Sequence, residues 1–409
     1  VVTTRADAAE LDAADPLRGL RERFLLPPDV IYLDGNSLGA LPRSTPDRLA
    51  TVLRHEWGER LVRSWNEAGW WTASRRVAAA LAPLLGAAED EVVVADSTST
   101  NLFKLFTAGL RSRPDRPVLV VERYAFPTDV YIARSVAELF GGELRLIDGP
   151  DDLPAALDDR VGVVCLSHVD FRTGAMWPAV RTTEDVRACG ALMMWDLCHS
   201  TGAVDVDLHG WHADLAVGCG YKYLNGGPGA PSYAFVAQRH QSALRTPLPG
   251  WHGHADPFAM TPDYLPAPGV GRFAGGTPPV LSLLALEDAL GAFSGASTTE
   301  LRAKSTALTS LFIDLVTLRC PGPTMVSPRD PERRGAQVAL RFQHAHGLIA
   351  ALIEVGVIGD FRAPDIARFG FAPAYVGFVD VWEAVESMAE VLNTGRYQAD
   401  RFARRSTVT

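Results

Sequence analysis

Residues 161–200 read VGVVCLSHVDFRTGAMWPAVRTTEDVRACGALMMWDLCHS. Two continuous apolar runs, 161–166 and 191–195, enclose a helical window at 180–189. Neither run alternates polar with apolar residues, so each reads as a strand covered on both faces. Buried strand, helix, buried strand is the pattern of a parallel crossover unit. Further runs lie before it at 92–95, 118–121 and 144–147, separated by helical windows at 100–110, 128–141 and 151–159. Runs at 215–219 and 232–236 add strands after it. The fold class is therefore α/β, with a mostly parallel central sheet. In such sheets ligands sit beyond the carboxyl ends of the strands, so polar residues there carry most weight.

The flanks differ. Residues 1–30 are polar and helix-prone, VIYL (30–33) is a short strand, and DGNSLG (34–39) is a turn cluster. Residues 46–85 read as helices interrupted around Trp65, Trp70 and Trp71. Residues 245–279, rich in Pro, Gly and His, read as an irregular functional loop. A long helical stretch at 280–318 leads to a smaller α+β unit at 320–400. No internal repeat is present.

The 409 residues are 47% hydrophobic and 21% charged, which excludes disorder, collagen and a disulfide scaffold. The net charge of −9 argues against nucleic acid or an anionic membrane as a partner, though not against a local pocket for a small anion. No apolar run approaches a membrane span. The five cysteines are scattered and mostly inside apolar stretches, as reduced thiols of a cytoplasmic protein would be. The start has neither a signal-peptide pattern nor an initiating Met, so residue 1 is expected to be a processing boundary. No metal is expected: there is no CxxC, and nothing completes a ligand set around His209 and His212 or His252 and His254. No GxSxG elbow supports a serine hydrolase.

Three strand ends carry chemistry. Asp96-Ser97-Thr98-Ser99-Thr100-Asn101 opens a helix after the first run. Hydroxyls and free N–H groups at a helix start suit a phosphate, although a plain N-cap reads the same way. Asp196 ends the run at 191–195. Lys222 follows the run at 215–219, among aromatic and glycine residues in GYKYLNGGPG (220–229). Burial there lowers a lysine's pKa and makes it a nucleophile toward a carbonyl, where an exposed hairpin lysine would be inert. Phosphate cradle, acid and lysine together are what pyridoxal phosphate requires. The acid keeps the pyridine nitrogen protonated, and the lysine holds the aldehyde.

On YLDGNSLG (32–39), FPTD (126–129), WDLCHS (195–200), GYKYLNGGPG (220–229) and GWHGH (250–254), the chain resembles the kynureninases, fold-type-I pyridoxal-phosphate enzymes of the aminotransferase class V type. The resemblance runs from about residue 30 to the end. It implies an N-terminal segment (1–60) packing on the small domain, a large cofactor domain (61–289) and a small C-terminal domain (290–409). It implies Lys222 as the Schiff-base lysine and proton shuttle at Cα, Asp196 against the pyridine nitrogen, and Asp129 as a nearby second carboxylate. Phe126 would stack on the ring, with Ser167 and His199 flanking it. Thr98, Ser99, Tyr221, Trp251 and Thr277 would surround the phosphate. Thr277 would reach the neighbouring subunit, making a homodimer with a composite site. Tyr221 is the candidate for proton transfers at the carbonyl and Cβ. Arg368 would bind the α-carboxylate bidentately, with Arg362 as its rival. Ser37, Trp65 and His252 would form the aryl ketone pocket. The implied reaction is hydrolysis of L-kynurenine, or its 3-hydroxy relative, to the anthranilate and L-alanine, a step of tryptophan catabolism. The alternatives are a cysteine desulfurase-like enzyme, for which Cys320 would have to be reactive, and a non-catalytic protein that binds the same cofactor.

Overall fold

The computed structural model describes residue 2 and residues 4–402. Its large sheet has seven strands: β1 (Val92–Val94), β2 (Val118–Glu122), β3 (Glu143–Ile147), β4 (Val161–Ser167), β5 (Leu192–Asp196), β6 (Leu215–Cys219) and β7 (Ser232–Val236). They lie in the order β1-β7-β6-β5-β4-β2-β3. β7 runs antiparallel to both its neighbours, and the other pairings are parallel. Every residue of β4, β5, β6 and β7 is buried, as unbroken apolar runs require. The register sets Ser167 beside Asp196 at the carboxyl ends of β4 and β5.

Three helical windows become the helices Thr98–Ser112, Pro127–Leu139 and Ala179–Ala188. The window at 151–159 does not hold. Only Leu153–Ala156 is α-helical, and Leu153 is its one buried residue, too little apolar surface to dock a helix. The stretch 280–318 is two helices, Val280–Gly291 and Thr298–Arg319. Gly295 at φ 84° turns the chain between them, and Ser297 caps the second helix in a capping box with Glu300.

The small unit holds a second sheet of β8 (Thr324–Met325), β9 (Gln337–Arg341), β10 (Asp360–Arg362) and β11 (Ile366–Gly370), in the order β8-β9-β11-β10. All its pairings are antiparallel. The N-terminal segment joins it. Helix Arg5–Ala14 packs on helix Phe378–Thr394. Ile31–Tyr32 pairs in parallel with Val357–Ile358. Leu20, Phe24 and Leu33 share one core with Phe312, Phe369 and Phe371. Helix Thr45–Thr51 instead lies against Val280–Gly291, with Thr45 Oγ1 donating to Asp288 at 2.6 Å. Among the described residues no helix is long and apolar enough to cross a membrane.

Candidate active site

The carboxyl ends of β4 and β5, the turn after β6 and the start of helix Thr98–Ser112 enclose a cavity of ≈ 240 Å³. Thr98, Ser99, Phe126, Asp129, Ser167, Asp196, His199, Tyr221 and Lys222 all line it. At one end Ser97 caps the helix, its Oγ accepting from Thr100 N at 3.3 Å. Thr98 and Ser99 occupy the first turn, where backbone N–H groups have no carbonyl partner within the helix. At the other end Asp196 accepts from Cys198 N at 2.8 Å through Oδ1. Asp129 is 2% exposed and hydrogen-bonded to Asp196. Burial, and then the Asp196 charge, push the Asp129 carboxyl well above the usual range. Asp129 is therefore the carboxyl on which the site favours a proton.

Between these ends lie the rings and the amine. Phe171 meets Phe126 edge-on at 5.4 Å between centroids. Lys222 Nζ lies 5.8 Å from the Phe126 ring centroid and 5.8 Å from that of Tyr221. The expected downward shift of Lys222 is not found. Burial does pull the amine down, but Cys219, Cys198, Tyr221 and Asp196 together outweigh it, and the net direction is up. Burial lifts the Tyr221 phenol to about 12, so it is a proton donor at neutral pH. Burial, and then the Lys222 and Arg368 charges, push His199 well below its ordinary value. It is a neutral imidazole, with Nδ1 3.1 Å from Gln337 Oε1.

The turn that presents Lys222 is closed by one left-handed residue and one backbone hydrogen bond. Asn225 adopts φ 59°, and Gly226 N donates to Gly220 O at 2.9 Å. Gly39 of the DGNSLG cluster donates its N–H to Tyr221 O at 2.8 Å. A Cβ at Gly39 would run into the Lys222 carbonyl oxygen, so that approach requires glycine. The donor set fits pyridoxal phosphate: hydroxyls and free N–H groups for an oxyanion, a carboxylate pair for a ring nitrogen, an aromatic face for a ring and a half-buried amine on the cavity wall for an aldehyde.

The remaining predicted residues form two other groups, and neither lines the cavity. Trp65, Trp251 and His252 gather around Trp71, whose centroid is 4.4 Å from His252 and 5.3 Å from Trp251. Trp251 Nε1 donates to Thr277 Oγ1 at 3.3 Å, and both residues are exposed. Within one chain, Trp251 and Thr277 do not reach the cavity, because their loop runs along the surface. Ser37 and Arg368 belong to a cluster with Asp360. Arg368, 1% exposed, donates to Asp360 through Nε at 2.7 Å and also through Nη2. Ser37 Oγ donates to Asp360 Oδ2 at 2.9 Å and accepts from Arg368 Nη2 at 2.9 Å. That sets Ser37 beside a guanidinium rather than in an aryl pocket.

The sequence reading missed Thr128, Val169, Phe171 and Cys198 on the cavity wall, and Asp34 and Asp360 beside Arg368. The segment after β4, SHVDF (167–171), is itself a strand end and was open to the same argument as Asp196.

Residues 301–388 match the kynureninase C-terminal domain family. The chain is 52% identical over 414 residues to a kynureninase of Burkholderia mallei (strain SAVP1), covering 99% of this chain and 100% of that one. It is 47% identical over 416 residues to a kynureninase of Pseudomonas fluorescens, covering 100% of each. Among solved structures, apo cysteine desulfurase from Thermococcus onnurineus NA1 superposes with a TM-score of 0.78 at 18% identity, covering 92% of this chain and 98% of that one. A C-DES variant with glycine covalently linked to its pyridoxal-phosphate cofactor superposes with a TM-score of 0.80 at 16% identity, covering 90% and 99%. At such identities the structures establish the shared fold.

Proposed function

The chain belongs to the kynureninase family, and on that footing we propose that it hydrolyses L-kynurenine or 3-hydroxy-L-kynurenine to the anthranilate and L-alanine, using Lys222, Asp196 and Tyr221. The observation that carries the reading is one cavity in which a half-buried lysine, a carboxylate pair and a helix start converge. Bound there, pyridoxal phosphate supplies an aldehyde that captures the substrate amine and a pyridinium that draws electrons away from Cα. Asp196 would hold the proton on the ring nitrogen, and the protonated Asp129 would fix the Asp196 carboxylate. Thr98 and Ser99 would hold the phosphate, and Phe126 one face of the ring, with Ser167 and His199 beside it. Lys222 would hold the aldehyde in the resting enzyme, and its amine would take the Cα proton of the substrate. Water adds at the γ-carbonyl carbon, the Cβ–Cγ bond breaks, and the aryl carboxylate leaves. Tyr221, which keeps its proton up to about 12, would donate to the carbonyl oxygen as water adds, recover a proton from the hydrate as the Cβ–Cγ bond breaks, and pass it to Cβ. Placed proton transfer of this kind contributes about 10²–10⁴-fold. Arg368 would hold the α-carboxylate, with Ser37 beside it, and Trp65 and His252 would bound the aryl end.

The exposed Trp251–Thr277 pair supports a homodimer in which these two residues complete the partner's phosphate site. The free thiols and the lack of a long apolar helix among the described residues are compatible with a cytoplasmic enzyme. The desulfurase alternative is disfavoured at Cys320, which is 4% exposed and whose thiol burial pushes up to about 12.

The test is to give the cofactor-loaded protein both substrates in competition, following each anthranilate by fluorescence and L-alanine by coupled assay. Lys222→Ala should fold, lose the visible absorbance of lysine-linked cofactor and lose nearly all turnover. Wild-type-like turnover in that variant would overturn the assignment.

A further inference from the structure

The arginine assigned to the substrate carboxylate shares a buried carboxylate with a second arginine, and a further carboxylate, Asp34, lies close enough to feel all three. Asp360 and Arg362 lie on β10, Arg368 on β11, and Asp34 in the DGNSLG turn, itself bridged to Gly370 at the end of β11. Asp360 and Arg368 are register partners on adjacent antiparallel strands. Asp360, 2% exposed, takes both Nε and Nη2 of Arg368, Arg362 Nη2 at 2.6 Å and Ser37 Oγ at 2.9 Å. The side-on edge of the Arg368 guanidinium is thus already filled. A ligand carboxylate has the end-on edge, Nη1 and Nη2, where Nη1 now donates to Phe171 O and Ser37 Oγ lies 2.9 Å from Nη2. Phe171 also lines the cofactor cavity, so this edge is the one nearest the chemistry.

The charges impose a second condition. Two guanidinium groups and two carboxylates balance, and a bound substrate carboxylate adds one uncompensated negative charge in a buried setting. The groups facing Asp34 are Asp360, Arg362, Arg368 and Ser37, with the Tyr32, Tyr223 and Tyr375 phenols around them. The three phenols are all raised and stay neutral. His199, which also feels both arginines, is neutral too. Asp34 is left as the group able to absorb the charge.

We propose that Asp360 is a positioning residue that turns the end-on edge of Arg368 toward the substrate carboxylate, and that Asp34 takes up a proton when that carboxylate binds. The inference rests on the assignment of Arg368 made above. Burial, and then the Asp360 charge, raise the Asp34 carboxyl to about 7. Below that pH the cluster already carries one net positive charge and accepts a carboxylate directly. Above it a proton must enter, so the ligand's Kd rises up to about tenfold per pH unit.

The probe is 4-oxo-4-phenylbutanoate, which keeps kynurenine's ketone and carboxylate but has no amine to titrate. Calorimetric titration of the cofactor-loaded protein at pH 8, in buffers of different protonation enthalpy, counts protons. Wild type should take up a proton fraction approaching one per ligand, and Asp34→Asn none, with a Kd that no longer varies with pH. Asp360→Glu keeps the charge balance but moves the carboxylate. It should retain the cofactor absorbance and raise KM for kynurenine by about 10- to 100-fold, more than it lowers kcat. Wild type without proton uptake, Asp34→Asn with unchanged uptake, or Asp360→Glu with wild-type KM each overturns the proposal. If Arg368→Ala binds the probe as wild type does, the assignment of Arg368 fails instead.

Discussion

Asp129 and Asp196 sit side by side, yet the same substitution should affect them very differently. Asp129 is 2% exposed, and burial followed by the Asp196 charge raises its carboxyl well above the usual range, which favours the protonated form. Asparagine copies the shape of a protonated carboxyl, and its NH₂ can donate to Asp196 as the acid O–H does. Asp129→Asn therefore exchanges one neutral hydrogen bond for another, a cost of at most about 1.5 kcal/mol, or roughly tenfold in kcat/KM. Asp196→Asn removes the anion itself. Losing one partner of a buried charged pair costs about 2–5 kcal/mol, or roughly 30-fold to several thousand-fold. Stability supplies an independent readout. A carboxyl raised on folding binds a proton in the folded chain that the unfolded chain has released. Folding then takes up a proton, and stability falls as pH rises above about 4, the ordinary aspartate value. Asp129→Asn removes that dependence, so its Tm at pH 8 should equal or exceed that of wild type and vary less with pH. Thermal unfolding of the cofactor-free proteins across this range, with kcat/KM on the loaded ones, decides it. If Asp129→Asn loses as much activity as Asp196→Asn, or if its Tm falls more steeply with rising pH than the wild type's, the protonated-Asp129 argument is wrong.

Two further outcomes follow from the other groups. Arg368→Ala should fold, because Asp360 keeps Arg362 Nη2 at 2.6 Å and Ser37 Oγ at 2.9 Å. It should keep the cofactor absorbance and lose roughly 30-fold to several thousand-fold in kcat/KM. Binding of L-alanine should weaken far more than binding of anthranilate, and Arg362→Ala is the control. A large loss in Arg362→Ala alone would exchange the two roles. Mixing inactive Lys222→Ala with a Thr277→Ala variant verified as defective should restore activity, since a mixed dimer holds one site with neither defect. Proven subunit exchange without recovery would place Thr277 in its own chain's site.

The legible parts of the molecule were those written in consecutive residues. The buried strands were visible because β4 to β7 are apolar on both faces. Asp196 and Lys222 were visible because a strand's end is local information. The window at 151–159 failed because its apparent period was not matched by enough apolar surface, with Leu153 alone buried. The charge cluster was invisible for a different reason. Asp360 and Arg368 become partners only through the antiparallel register of β10 and β11, and Asp34 lies more than three hundred residues earlier in the chain. The direction of the Lys222 shift was missed likewise. Burial can be guessed from an apolar context and Cys219 is only three residues from Lys222, but Cys198 is brought near the amine by sheet pairing of β5 with β6.

The DGNSLG turn deserves its place between the two cores for a geometric reason. Leu33, just before it, is buried in the small unit's core, and Asp34 is bridged to Gly370 on β11. Ser37 contacts Asp360 and Arg368, and Gly39, two residues on, donates to Tyr221 O and lies against the Lys222 carbonyl. One short turn thus touches the backbone that presents the lysine and the cluster assigned to the carboxylate. An amino acid held at both ends needs those ends at a fixed separation, and misplacement by about 1 Å can cost on the order of 100-fold in rate. A rigid turn spanning both supports is a more direct way to set that separation than two loops packed independently. It also explains why glycine is required at Gly39, where any side chain would push the lysine's backbone away from the arginine's strand.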